Sequence, residues 1–559
     1  MFVFRKDVSF KGIALCLLVA YCAGVQSLNA APGRAPSVRL TDALEWLYAD
    51  SQVESVPSFG NVDVPSNGVA EVNLLFNRLD PRAPLSFSCD VPGAEWFRLV
   101  GVPVSKNTGP AGFVESAGVT NVFVSRDAPF CVFDAMEPLS SGRVIPGSDT
   151  AALRLRLRSF PQGCAAFPVR IFVSQGAFRR QLEFSVAVHG VAVPPVSPAS
   201  FKYTNWMDWY EAMGCHGVRS YWTPQHWDLI RRYVRLAVYG RQNMVMVPLF
   251  FKTDSAGKRV LDEERFVEFV SLLDSEGVAY LEGPHLCRFM DGSWTSKNFR
   301  TVIGTNATTS VEGAAELAFL ASSLAGIIER NGWRERWYQH VSDEPAAHNA
   351  AEYRITAGII RKHMPGIRLV DAIEFPDLPG ALDVYCPKNH DYEQNRNRYE
   401  RLRMGPTDEI WCYTCCYPGG KWMNRLLDHE ILRSVYLPWG CFIHSLDGYL
   451  HWGFNRWTPG SDPFTPGFGG TLPPGDTHLV YPGGSDGPWP SVRFEAMRQG
   501  MEDLELLRLL RQRAPEKAER FSHRLVRGFG DYELDVRLYR QVRRALLAAV
   551  AEIERSDRK

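Results

Sequence analysis

Two grammars of hydrophobic and polar positions follow one another along this chain. Over residues 31–195, short apolar runs alternate with polar positions and break at Pro, Gly and Asn. The runs 70–76 (AEVNLLF), 120–124 (TNVFV), 152–157 (ALRLRL), 169–173 (VRIFV) and 182–188 (LEFSVAV) have the period-two alternation of strands. Their spacing predicts an N-terminal antiparallel β-sandwich. The stretch Val193-Pro194-Pro195-Val196-Ser197-Pro198 reads as a stiff proline-rich linker and marks a domain boundary.

Beyond the linker the pattern changes to strand, helix, strand. Strand-like runs fall at 201–206, 243–251, 278–286, 337–342, 368–373, 382–386, 409–414 and 448–454, and helical patterns such as 226–239 and 311–330 separate most of them. Units of this kind over roughly 250 residues predict an α/β fold of the (β/α)8 TIM type rather than an open doubly wound sheet. The first strand is followed by no Gly-rich phosphate loop, which removes the main reason to prefer a nucleotide fold. Residues 492–512 then predict an amphipathic helix. A basic helical tail runs to Lys559, expected to pack on the barrel with its charges solvated. The domains expected are therefore a sandwich at 31–195, a barrel at 196–490 and a helical segment at 491–559.

Residues 1–30 read as a signal peptide. Arg5, Lys6 and Lys11 form a basic start, and the apolar run 12–25 is too short for a comfortable membrane span. Tyr21 stands where a lipoprotein processing site before Cys22 wants a small residue, so a periplasmic or secreted protein is expected rather than a lipid-anchored one. No other stretch reads as a membrane span. The 62 basic and 62 acidic side chains cancel, which removes the electrostatic reason to expect a nucleic-acid partner. Of twelve cysteines, Cys412, Cys415 and Cys416 cluster. A structural zinc site needs a second pair at matching spacing, so buried small hydrophobes are the better reading. No metal or cofactor is expected.

The spot with chemistry is Asp343-Glu344-Pro345, which closes the fourth predicted strand at the barrel face where active sites are built. Asp262-Glu263 reads as part of a helix, and Asp408-Glu409 opens the seventh strand at the opposite face. Neighbours on a regular strand point to opposite sides, so both carboxylates can serve one site only if pleating stops there. Pro345 supplies the stop, because it donates no ladder hydrogen bond and restricts the backbone of Glu344. A charge pair opening a helix would use the same residue types.

The stretch His340-Val341-Ser342-Asp343-Glu344-Pro345 resembles glycoside hydrolase family 123, the β-N-acetylgalactosaminidase family. So do 409–418 (EIWCYTCCYP), Trp422, Asn424, 448–457 (GYLHWGFNRW), Val480-Tyr481-Pro482-Gly483, Ser491-Val492-Arg493-Phe494-Glu495, Gly500, Glu502 and Asp503. The resemblance implies an exo-acting retaining hydrolase of a glycan or glycoconjugate, in which the substrate's 2-acetamido oxygen attacks the anomeric carbon. Glu344 is then the acid that protonates the leaving oxygen and later activates water, and Asp343 holds the acetamido N–H. Asp343 is expected to stay ionised, its charge keeping Glu344 protonated.

Sugar recognition wants a stacking face and polar groups for hydroxyls. Tyr385, Tyr413, Trp422, Asn424, Trp452 and Asn455 are the candidates, with Tyr413 or Tyr385 as donor to the acetamido oxygen; each aromatic can equally be a barrel-core residue. His340 reads as a buried hydrogen-bonding group rather than a proton shuttle. Two other readings remain open. One is a relative cleaving a different glycoside. The other is a catalytically silent glycan-binding protein with the sandwich as its binding module.

Overall fold

The computed structural model describes residues 35–116, 118–160, 165–457, 464 and 471–557; the expected signal peptide lies outside them. The alternating runs of the first grammar form two five-stranded sheets. One runs in the order Ser37–Asp42, Ala70–Asn77, Ala151–Leu157, Glu95–Val104, Phe130–Leu139. The other runs Asn61–Pro65, Phe178–His189, Ala166–Gln175, Leu85–Cys89, Arg143–Val144. Pairing is antiparallel except between Asn61–Pro65 and Phe178–His189. Val72, Leu74, Phe76, Leu153, Leu155, Ile171 and Val186 interdigitate between the sheets, as period-two strands require.

Residues 120–124 are not a strand, although their alternation predicts one. The Asn121 side chain donates to the Thr108 carbonyl and accepts from the Phe123 N–H, so local side-chain bonds replace a ladder. This segment belongs to a loop that leaves the sandwich and reaches the barrel.

Each of the eight runs of the second grammar holds a barrel strand: β1 Lys202–Asn205, β2 Met244–Met246, β3 Tyr280–Gly283, β4 Trp337–His340, β5 Arg368–Ile373, β6 Val384–Pro387, β7 Glu409–Thr414 and β8 Gly448–His451. They form one parallel sheet in the order β1-β8-β7-β6-β5-β4-β3-β2. Side-chain amides stitch the remaining seam between β1 and β2. Asn243 donates its backbone N–H to the Tyr203 carbonyl (3.3 Å) and accepts the Tyr203 N–H on its side-chain Oδ1 (2.9 Å), and the Gln242 amide donates to the Asn205 carbonyl (3.1 Å). Met244, Tyr338, Val370, Ala372, Val384, Cys386, Trp411, Tyr413 and Leu450 fill the interior. Their alternate neighbours, such as Leu369, Tyr385, Ile410 and Cys412, face the outer core beneath the helices.

Helix Val311–Arg330 joins β3 to β4 and starts at Ser310, whose hydroxyl accepts the Gly313 N–H. By length and composition alone it could cross a membrane, although the sequence reading expects no span beyond the leader. In this fold Leu317, Leu320, Leu324, Ile327 and Ile328 form its buried stripe. The dipeptide Asp262-Glu263 opens helix Glu263–Ser275 with Asp262 as its cap. Glu409 sits at the start of β7, bound to Arg368 and Lys202, so neither acidic pair lies at the mouth that follows the strand ends.

The C-terminal helices Val492–Arg513, Pro515–Leu525 and Val536–Asp557 pack on the sandwich as well as the barrel. The charges of these helices are not simply a solvated face. Arg493 pairs with Asp134 of the sandwich, Glu495 with Arg156, and Arg540 with Asp42. Arg543 is buried on Asp503 and the Asp63 carbonyl.

Candidate active site

The ladder of β4 ends at His340, and a buried carboxylate catches the chain as it leaves. Asp371 of β5 accepts the N–H groups of Val341 (3.2 Å) and Ser342 (2.9 Å) and the hydroxyl of Tyr353 (2.5 Å). Two residues later Glu344 has φ of +43°, in the left-handed region that a side chain rarely adopts. Pro345 disfavours the right-handed helical conformation at the preceding residue, and here the backbone turns left-handed instead of continuing extended. This breaks the pleat, so Asp343 and Glu344 are released from strand alternation at the C-terminal mouth.

The two carboxyls keep separate company. Glu344 Oε1 accepts from the Tyr413 hydroxyl and lies 3.4 Å from Lys388 Nζ. Lys388 also pairs with Glu374, whose side chain reaches the surface. Burial pushes Glu344 up to about 7; Lys388 and the Tyr413 hydrogen bond oppose this, and Asp343 adds to it. Asp343 keeps about a third of its side chain open (35%) and faces His285, whose Nε2 is 3.8 Å away. Burial, then Asp371, push Asp343 up to about 7 as well, with His340 and Lys388 pulling it down. The expected division into an ionised Asp343 and a protonated Glu344 is therefore not made in the free site. The two acids stand level near neutrality.

Behind the pair lies a buried chain of polar groups. Burial opposes charge on His340, but its ring nitrogens donate to Asp371 and Glu282 (2.7 Å each) and hold it protonated, up to about 10. It is the buried hydrogen-bonding residue expected. Burial pushes the neighbouring His285 down to about 4, so its ring is neutral, and its buried Nε2 has no hydrogen-bond partner. His285, His340 and Asp371 present ligand atoms within 4.8 Å of one another, a grouping that could hold a cation. With both His340 nitrogens committed to carboxylates, only His285 offers a free ring nitrogen there.

Of the other sequence candidates, Tyr413 meets Glu344 directly. Trp452 borders the same interior, its Nε1 donating to buried Asp476 (3.1 Å). Tyr385 does not join them: strand alternation turns it into the outer core, where its hydroxyl donates to the Leu378 carbonyl. Asn424 and Asn455 are fully buried loop staples, the first on the carbonyls of Cys415 and Pro418, the second on the backbone of Asp208. Trp422 packs beside His390 and Gly530. Cys412 faces the outer core with its Sγ 3.6 Å from that of Cys441.

Sequence reasoning missed Lys388, His285, Asp371, Glu282 and Trp206. Trp206 borders the interior and donates to Glu282 (2.7 Å), with its ring edge-on to His285 and His340. The usable signal was a lone carboxylate in a strand-like run, as in RLVDAI and YLEG, or a lysine just past a strand end, as with Lys388.

A barrel mouth holding a proton-ready acid, a neighbouring carboxyl and flanking indoles is the equipment of a glycoside hydrolase. Comparison points the same way: residues 302–510 match the model of the glycoside hydrolase 123 catalytic domain. Among solved structures, a family 123 glycoside hydrolase from Clostridium perfringens, described in terms of glycolipid glycan hydrolysis, is similar at 12% identity and a TM-score of 0.67. That similarity covers 93% of this chain and 98% of the other. A family 39 glycoside hydrolase from Bacteroides cellulosilyticus WH2 is 10% identical with a TM-score of 0.35, covering 79% and 82%. A search of curated proteins found no match.

Proposed function

We propose that this chain is an exported, exo-acting β-N-acetylgalactosaminidase that works by substrate-assisted retention. The observation that carries the reading is the left-handed turn at Glu344, which gives two sequence neighbours separate environments at one mouth. In a two-carboxylate retaining enzyme, acid and nucleophile flank the bond about 5–5.5 Å apart, usually from different strands. Adjacent carboxylates suit the other division of labour, one on the leaving oxygen and one on the acetamide.

The acetamido oxygen attacks the anomeric carbon while the leaving oxygen takes the proton of Glu344, which gives a free alcohol, the Glu344 carboxylate and an oxazoline whose ring nitrogen keeps its proton and carries a positive charge. Lys388 and Tyr413, already on Glu344, stabilise that carboxylate. Glu344 then takes a proton from water as it opens the oxazoline with net retention. Asp343 accepts the acetamido N–H and balances the positive charge of the intermediate. The leader-like first thirty residues support export to the periplasm or beyond.

The test compares a β-galactoside with its 2-acetamido counterpart, together with a thiazoline mimic of the intermediate. Cleavage should require the acetamide, and the thiazoline should bind far more tightly than the free sugar. Asp343→Asn should cost on the order of 10²-fold in kcat, as loss of one preorganised charge does. Equal cleavage of the plain galactoside with no thiazoline inhibition means that substrate assistance is wrong.

A further inference from the structure

The sandwich sends a loop to the mouth of the barrel, and hydrogen bonds from side chains and backbone fix it there. The Thr108 N–H (2.6 Å), the Thr108 hydroxyl and the Asn107 amide all donate to buried Asp428 of the barrel. The Phe113 N–H donates to the Cys416 carbonyl and the Gly419 N–H to the Ala111 carbonyl. The backbones approach so closely that a Cβ on Gly112 would lie 2.4 Å from the Cys416 oxygen, and one on Gly419 would lie 2.1 Å from the Gly109 oxygen. After this anchoring, Phe113 is not buried. The residue stays 38% exposed, and its backbone takes φ of +54°, a conformation phenylalanine rarely adopts.

The ring stands edge-on to Tyr417, centroids 4.9 Å apart at 87°. Tyr417 lies under Lys388 Nζ (5.8 Å to the centroid), and Lys388 is 3.4 Å from Glu344. A path therefore runs outward from the acid through Lys388 and Tyr417 to Phe113. Asp343 faces away from it, toward His285. Because Glu344 must touch the leaving oxygen, groups on its side of the pair meet the leaving group.

We propose that Tyr417 and Phe113 form the leaving-group subsite, and that the leaving group is a pyranose. This rests on the hydrolase reading above and gives the sandwich a part in substrate recognition. An open ring face fits the C–H face of a sugar, while Lys388 and Glu374 nearby meet its hydroxyls. An alkyl chain would instead want a continuous apolar channel, and these two charges interrupt one.

The experiment uses the full chain and three β-glycosides of whichever sugar it hydrolyses, with methyl, octyl and pyranose leaving groups. Phe113→Asn removes the ring, and Asn tolerates the left-handed backbone; Phe113→Trp keeps a stacking face. Phe113→Asn should lower kcat/KM on the disaccharide about tenfold, chiefly through KM, and change the methyl glycoside less than about twofold. Phe113→Trp should stay within about threefold of wild type on both. Equal losses on the disaccharide and methyl glycoside, or none on the disaccharide, overturn the subsite; a larger loss on the octyl glycoside overturns the pyranose. Since the three share one glycone, an error in the sugar assigned above alters all of them and leaves their ratios intact.

Discussion

Glu344 combines a costly backbone conformation with tightly held side-chain partners. A left-handed conformation in a residue with a side chain costs roughly 1–3 kcal/mol, and it persists where neighbours over-determine it. Here Asp371 grips the two preceding N–H groups, while Tyr413 and Lys388 hold the carboxyl. Lys388 itself faces Glu344, Glu374 and the rings of Tyr413 and Tyr417. Its charge lowers the pKa of Glu344 and, less directly, of Asp343. Removing that charge raises both. Lys388→Met should therefore move the basic limb of the kcat/KM profile, where Glu344 loses its proton, upward by about one pH unit from near 7. The acidic limb should move up by less. A profile that keeps its limbs while kcat falls would show that Lys388 only shapes the site.

The elements that hold the site are packed to contact distance. Helix Val492–Arg513 crosses helix Leu432–Ile443 so closely that a Cβ on Gly500 would lie 2.2 Å from the Val435 carbonyl oxygen. That oxygen is backbone and cannot swing aside. Gly500→Ala should cost about 1–3 kcal/mol despite the higher helix propensity of Ala, because overpacking outweighs propensity here. Thermal unfolding measures it, and a variant as stable as wild type would mean that the helices can part freely. The position was visible in the sequence as a family landmark, but its reason was not, since the partner lies 65 residues away on another helix.

Across the whole molecule, sandwich, barrel and tail share buried charge. Arg154 and Arg156 occupy the polar positions of the run ALRLRL, which alternation assigns to solvent, yet both are buried where the sheet meets the C-terminal helix. Arg156 bonds Glu71 (2.8 Å) and Glu495 (2.5 Å), tying the two units together. Arg156→Met removes the cation shared by Glu71 and Glu495, leaving them to Arg154 and Arg498, and should cost up to about 3–5 kcal/mol, seen as a lower melting temperature and earlier proteolysis between sandwich and barrel. Burial raises the Glu71 pKa, but Arg156 and Arg154 outweigh it and hold Glu71 below its usual 4.5. A depressed folded pKa means stability that is present above the unfolded value and lost as pH falls below it. The wild type should therefore lose stability through this contact on acidification below about 4.5, and Arg156→Met should lose less of it.

The sequence by itself determined the order of the parts: a period-two region, a proline-rich joint, eight strand units and a closing set of helices. It also placed Asp343 and Glu344 at the end of the fourth strand. Periodicity and the position of Pro345 are local properties, and a single chain carries them openly. Only the tertiary structure decided which side chains meet. The ends of β3, β5, β6 and β7 bring His285, Asp371, Lys388 and Tyr413 to the pair from separations of 27 to 69 residues. Tyr385 and Tyr413 look alike in sequence, yet strand alternation turns one outward and the other onto the acid. The run 120–124 has a strand's pattern but spends its hydrogen bonds in a loop that carries the sandwich to the barrel mouth. Such pairings depend on through-space distance and desolvation, which arise only once the barrel closes and the sandwich docks upon it.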